Sequence, residues 1–133
     1  MEKTLILIKP DAVERNLIGA ILTCYEENDL KITRLRMLHA ERHRAMEHYQ
    51  EHIGRPYFEG LMAYITRSPI VAIELQGYGA IAKVRAINGC TDPAKADKDT
   101  IRGRYGISSS ENTVHASDSR ASAEREIAIW FNH

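Results

Sequence analysis

Cysteine is scarce in this chain: Cys24 and Cys90 are the only two, far apart and without metal-like spacing. That scarcity excludes a disulfide framework, and free thiols in a reducing compartment are the simplest reading. A surplus of charge is also missing, since 18 basic residues balance 18 acidic ones. Neutrality argues against a protein that coats nucleic acid, because neutralising phosphates normally leaves a basic excess. Two phenylalanines and one tryptophan make a poor platform for stacking bases. Nucleic acid is therefore not expected as an obligatory partner, although a local basic pocket for one small anion remains open. Long apolar runs are missing too. The N-terminal run Thr4 to Ile8 is too short to span a membrane, and no signal-peptide cleavage pattern follows it. The expectation is a soluble, cytoplasmic protein with no membrane partner.

What is present fits one compact domain over residues 1–133. Hydrophobic residues make up 44% of the chain and charged residues 27%, too apolar a mixture for disorder. The β-branched run Thr4 to Ile8 predicts a buried strand, which Pro10 ends for want of an N–H. Asp11 with Glu14 three residues on has the spacing of a capping box. Ile18, Ile21, Leu22 and Tyr25 then follow at helical intervals. Lys31 to His39 is a mixed-polarity strand candidate, and Arg42 to Glu51 is polar and helical in character. Phe58, Leu61, Met62 and Ile65 mark an amphipathic helix that Pro69 ends. Ile70 to Leu75 predicts a third strand, and Ala80, Ile81, Val84 and Ile87 a short helix. Gly89 to Asn112 is mostly loop, and a loop that long in a small domain is usually functional. Thr113 to His115 predicts a short last strand, with a closing helix over Arg120 to Phe131. This order suits an α+β, ferredoxin-like split β-α-β sandwich, a four-stranded antiparallel sheet with helices packed on it. Periodicity alone does not separate it from a small parallel α/β sheet.

Several residues could carry chemistry. Lys9 ends an apolar strand just before a helix N-terminus, a plausible anion site, or simply a lysine snorkelling to solvent. Arg85 and Arg102 could grip phosphate oxygens in bidentate fashion, yet single surface arginines are common. His115 follows Thr113-Val114 and precedes a helix entry, where donors for an attached anion gather. Neutral imidazole is a competent nucleophile near pH 7. A core histidine bonded to backbone fits the local pattern at least as well. Glu126 or Glu124 could orient His115, and the helical wheel does not choose between them. His39, His43, His48, His52 and His133 form no clean metal triad. His48 and His52 share a helical face without a third ligand, so surface placement is expected and no protein-held metal.

Five segments occur in order: Ile8-Lys9-Pro10-Asp11-Ala12, Arg55-Pro56-Tyr57-Phe58, Gly89-Cys90-Thr91-Asp92-Pro93, Thr100-Ile101-Arg102-Gly103 and Asn112-Thr113-Val114-His115-Ala116-Ser117-Asp118-Ser119. Together they make the chain resemble the nucleoside diphosphate kinase family over essentially its whole length. The resemblance implies the ferredoxin-like core and a ping-pong reaction, with His115 taking the γ-phosphate of a donor such as ATP. It implies that Lys9, Arg85, Thr91 and Arg102 hold phosphates, and that Lys9 and Asn112 reach the sugar. Tyr49 would lie beside the histidine, and Glu126, supported by Ser117, would hold one imidazole nitrogen. Tyr57 would stack on the base. Magnesium would bridge the phosphates, mainly through water. The partners implied are nucleoside di- and triphosphates and further copies of the chain, a hexamer more than a tetramer, because Pro93 matches an inter-subunit loop. Departures are Tyr57 for a usual phenylalanine, Ser109 for an aliphatic residue, Ala116 for glycine, and Arg67-Ser68-Pro69 for Ser-Gly-Pro.

Overall fold

The structure, a computed structural model, describes residues 1–132; His133 lies outside them. Four strands form one sheet: β1 (Glu2–Ile8), β2 (Lys31–Leu38), β3 (Ile70–Gly77) and β4 (Val114–Ala116). Their order is β2-β3-β1-β4, and every pairing is antiparallel. The parallel alternative is thereby excluded. Helices α1 (Pro10–Glu14) and α2 (Ile18–Glu26) connect β1 to β2. Next come α3 (Arg42–His48) and α4 (Phe58–Ile65), then α5 (Ala80–Asn88), α6 (Ile101–Tyr105) and α7 (Arg120–Phe131). This is the ferredoxin-like sandwich with two added helices between β2 and β3.

Strand alternation divides the core into two layers. Ile6 and Ile8 of β1 pack with Val71, Ile73 and Leu75 of β3 under α2 and α5. Leu5 and Leu7 pack on the opposite face with Met62, Ile65 and Trp130. The register pairs His115 with Leu7, so His115 shares the face that α3, α4 and α7 cover. One residue earlier or later would aim it into the other layer.

The local expectations needed three corrections. Lys9, not Asp11, is the N-cap of α1, with Pro10 at the first helical position. Asp11 has no capping role because its buried carboxylate is taken by two distant donors, the hydroxyls of Tyr64 and Thr113, and by the guanidinium of Arg15 one turn on. The last strand starts at Val114 because Thr113 sits at φ 79°. Such a backbone is an outlier for a β-branched residue. Inside the expected 89–112 loop lies α6, capped by Thr100, whose hydroxyl accepts from the Gly103 N–H. A Cβ at Gly103 would meet the Asp97 carbonyl oxygen at 1.9 Å, so only glycine admits this close approach.

Candidate active site

The end of β1, the C-terminal end of α3, α5, α6 and α7 surround a cavity of about 340 Å³. Lys9, Tyr49, Arg85, Thr91, Arg102, Asn112, His115 and Glu126 line it. Sequence positions more than a hundred apart meet here because β1 and β4 are neighbours. Ser117 sits behind the cavity, and Tyr57 stands apart at the start of α4, 52% exposed. The Tyr57 hydroxyl meets His52 Nδ1 at 2.6 Å, and His52 does line the cavity. A larger hollow of about 570 Å³ between Glu2, Arg34 and α7 has neither histidine nor cysteine in its lining. Size alone does not mark the site.

His115 Nε2 lies 2.8 Å from Glu126 Oε1, and the Ser117 hydroxyl donates to the same oxygen at 2.8 Å. With Glu126 ionised, Nε2 carries the proton and Nδ1 keeps its lone pair. Its lone pair is then free to attack. Burial holds the His115 pKa below the ordinary imidazole range, and the Lys9 and Arg102 charges add to this. His115 is therefore neutral near pH 7. Burial raises the Glu126 carboxyl, which His48, Ser117 and Arg125 partly offset. The buried side of α7 carries Ala123, Glu126 and Trp130, while Glu124 faces solvent. Tertiary packing thus breaks the tie between the two glutamates.

Cations ring the remaining wall. Lys9 Nζ donates to Asn112 Oδ1 at 2.9 Å, and Asn112 Nδ2 donates to the Thr91 carbonyl at 3.1 Å. An ammonium has three donors, so Lys9 keeps two for a ligand. Burial and then the charge of Arg102 push its pKa down to about 8. Arg102 donates to the carbonyls of Gly89 and Val114, each at 2.7 Å, while its Nε is buried without a partner. Arg102 therefore braces α6 against β4 as well as charging the cavity. Ala116 is strand, not among the residues of positive φ, so its replacement of glycine carries no strain.

His48 corrects the expectation of surface placement. It is buried, 4% exposed, and its ring lies 4.4 Å from that of His115, edge to face. His48, His115 and Glu126 bring ligand-type atoms within 4.8 Å of one another. Trp130 Nε1, which can only donate, donates its N–H to His48 Nδ1 at 3.0 Å. The His48 proton must then sit on Nε2, which leaves no lone pair there for a metal. That N–H is buried without an acceptor, a state costing about 1–3 kcal/mol. Helical spacing alone gave no sign of this; the signal is the pairing of Ala45 and His48 on the buried side of α3.

Fold and site together define an α+β sandwich with a neutral histidine in a cation-walled cavity of about 340 Å³. The family model for nucleoside diphosphate kinase matches residues 2–133. A nucleoside diphosphate kinase of Clostridium perfringens is 54% identical over 131 residues, 98% of this chain and 92% of that one. One from Pyrococcus furiosus is 47% identical over 134 residues, covering 98% and 83%. Among solved structures, the Aquifex aeolicus nucleoside diphosphate kinase superposes with a TM-score of 0.94 at 38% identity, over 98% and 94% of the two chains. A Halobacterium salinarum nucleoside diphosphate kinase in complex with CDP gives 0.96 at 40%, over 99% and 88%. The chain belongs to the nucleoside diphosphate kinase family.

Proposed function

We propose that residues 1–133 form one nucleoside diphosphate kinase domain with His115 as its phosphoryl carrier. The observation that carries this reading is the His115–Glu126 bond, which leaves Nδ1 free inside a cavity walled by Lys9, Arg85 and Arg102. Nδ1 attacks the γ-phosphorus of a nucleoside triphosphate such as ATP. The bond to the bridging oxygen breaks, its electrons leave with the nucleoside diphosphate, and the phosphoryl group stays on His115. An acceptor diphosphate then attacks that phosphorus through a terminal oxygen and restores the imidazole. One site serves both half-reactions. Glu126 and Ser117 hold the ring throughout, and the Glu126 carboxylate balances the positive charge of the phosphorylated imidazolium. Lys9, Arg85, Thr91 and Arg102 hold phosphate oxygens, where fixed charges do most of the catalytic work. Tyr49 closes the wall beside His115, Lys9 and Asn112 reach the sugar, and Tyr57 stacks on the base.

The donor set around the cavity is rich in cations and poor in oxygen ligands, with Asp118 and Glu51 as its only carboxylates besides Glu126 among the described residues. That composition fits Mg²⁺ arriving on the nucleotide and keeping mostly water, with Asp118 as a ligand to those waters. When bound, the ion supplies positive charge to the phosphates.

For assembly we favour a homo-oligomer, a hexamer before a tetramer. Supporting it, β2 is a sheet edge with Leu35 and Met37 about half exposed, and exposed edges are normally covered. No helix among the described residues is long and apolar enough to cross a membrane. With both cysteines free, the cytoplasm is the compartment that suits it.

Incubation with γ-labelled ATP and Mg²⁺, quenched in base, tests the mechanism. Label should stay on the wild type and not on His115→Ala, and it should be acid-labile. An unlabelled wild-type protein would sink the mechanism.

A further inference from the structure

His48 is a buried titratable group that the reaction above does not use. Two constraints define its state. The Trp130 indole can only donate, so the 3.0 Å bond to Nδ1 leaves the His48 proton on Nε2. That Nε2–H then has no acceptor, although His48 is only 4% exposed. An unpaired buried donor in a native protein calls for a reason, and its neighbourhood supplies one. The rings of His48 and His115 stand edge to face at 4.4 Å, and Glu126 closes the same cluster.

The contacts around His115 are otherwise one-sided. Glu126 holds Nε2, but one hydrogen bond does not stop an imidazole from pivoting about it. The second restraint is the His48 ring. Trp130 is wholly buried on α7 and comes from the same helix as Glu126. One helix therefore fixes both the nucleophile and the ring beside it. A neutral His48 also suits its place, because a charge there would compete with His115 for Glu126.

We infer that His48, locked in one tautomer by Trp130, is a positioning residue that keeps the His115 imidazole turned for attack on the γ-phosphorus. This rests on His115 being the phosphoryl carrier. Nothing in the arrangement asks His48 to touch the nucleotide, so its effect belongs on turnover rather than on binding.

Two substitutions test it. His48→Asn keeps an oxygen where Nδ1 accepted from Trp130 but removes the ring edge beside His115. His48→Phe keeps a ring but, with no Nδ1 to accept from Trp130, leaves that ring unlocked beside His115. Both should lower kcat about 10- to 100-fold, the size expected when a reacting group is misplaced by about 1 Å. KM for the acceptor diphosphate should stay within about twofold, and single-turnover phosphorylation of His115 should slow by the same factor as kcat. Trp130→Phe should lower kcat too, and its effect should not add to that of His48→Asn, since both act through one contact. Either His48 variant, folded by circular dichroism and with kcat within about twofold of wild type, overturns the assignment. Additive effects of the Trp130 and His48 changes overturn it as well. If one His48 variant fails to fold, the other decides. A wild-type protein that takes no label from γ-labelled triphosphate would instead defeat the phosphoryl-carrier reading on which this one stands.

Discussion

Lys9 donates to Oδ1 of Asn112 at 2.9 Å across 103 positions of sequence. The bond ties the end of β1 to the residues entering β4 and places a buried ammonium on the cavity wall. Burial depresses this ammonium to about 8, against about 10.4 in an unfolded chain. Between those values the unfolded state binds more protons, so folding stability should rise with pH from about 8 to about 10.4. Lys9→Met should remove that rise and stabilise the protein near pH 7 by about 1–3 kcal/mol, while abolishing phosphoryl transfer. Urea midpoints at pH 7 and pH 9.5 check both signs. A destabilised Lys9→Met would mean that the Asn112 bond outweighs the burial of charge.

His115 should remain active at acid pH where an ordinary imidazole fails. Burial and the charges of Lys9 and Arg102 disfavour its protonated form, so the attacking lone pair persists below pH 6.5. The acid limb of kcat/KM in the free enzyme should fall with a midpoint below about 6.5. An acid midpoint at or above that value would show that the Glu126 carboxylate dominates instead.

Glu126→Gln and Glu124→Gln separate a built contact from a surface charge on the same helix. Glutamine at 126 still offers an oxygen to the His115 N–H but loses the charge that stabilises the phosphorylated ring. Its kcat should fall about 10²-fold with little change in KM. Glu124 is exposed, and its substitution should leave kcat within about twofold and stability within about 0.5 kcal/mol.

Asp11 accepts from the hydroxyls of Tyr64 and Thr113 and from Arg15 while only 1% exposed. Those bonds hold Thr113 in its left-handed conformation, two residues before His115. Asp11→Ala would strand the two buried hydroxyls and should cost about 2–4 kcal/mol. Denaturant unfolding measures the loss. A cost below about 1 kcal/mol would mean that water replaces the carboxylate freely.

Ser109 is exposed on the loop before Asn112, where relatives are expected to carry an aliphatic side of the base clamp. Ser109→Val should tighten equilibrium binding of a nucleoside diphosphate by about two- to fivefold, the worth of a methyl group or so against the base. Unchanged affinity would count against Ser109 as part of the clamp.

Much of this was legible in the residue order. The apolar run before Pro10, the period of Ile18 to Tyr25 and the stop at Pro69 record local rules, and the elements follow them. Lys9, Asn112 and His115 were legible as a set only through resemblance, because single-residue patterns leave each of them open to a bland reading. The capping role given to Asp11 failed for a physical reason. Local spacing contains no information about Tyr64 and Thr113, which reach that carboxylate from far along the chain and outcompete the helix N-terminus for it.

Sequence by itself determined which side chains exist, where the strands and most helices run, and that a histidine capable of nucleophilic attack stands at the head of the last helix. Tertiary structure alone decided which face of the sheet that histidine takes, since the Leu7–His115 register sets it. It also put Glu126, which the helical wheel left tied with Glu124 and only the resemblance favoured, against His115, and turned His48 from an expected surface residue into a buried neighbour with its proton fixed by Trp130. Pairing register, burial and tautomer depend on groups brought together from distant positions. No window along the chain contains both partners.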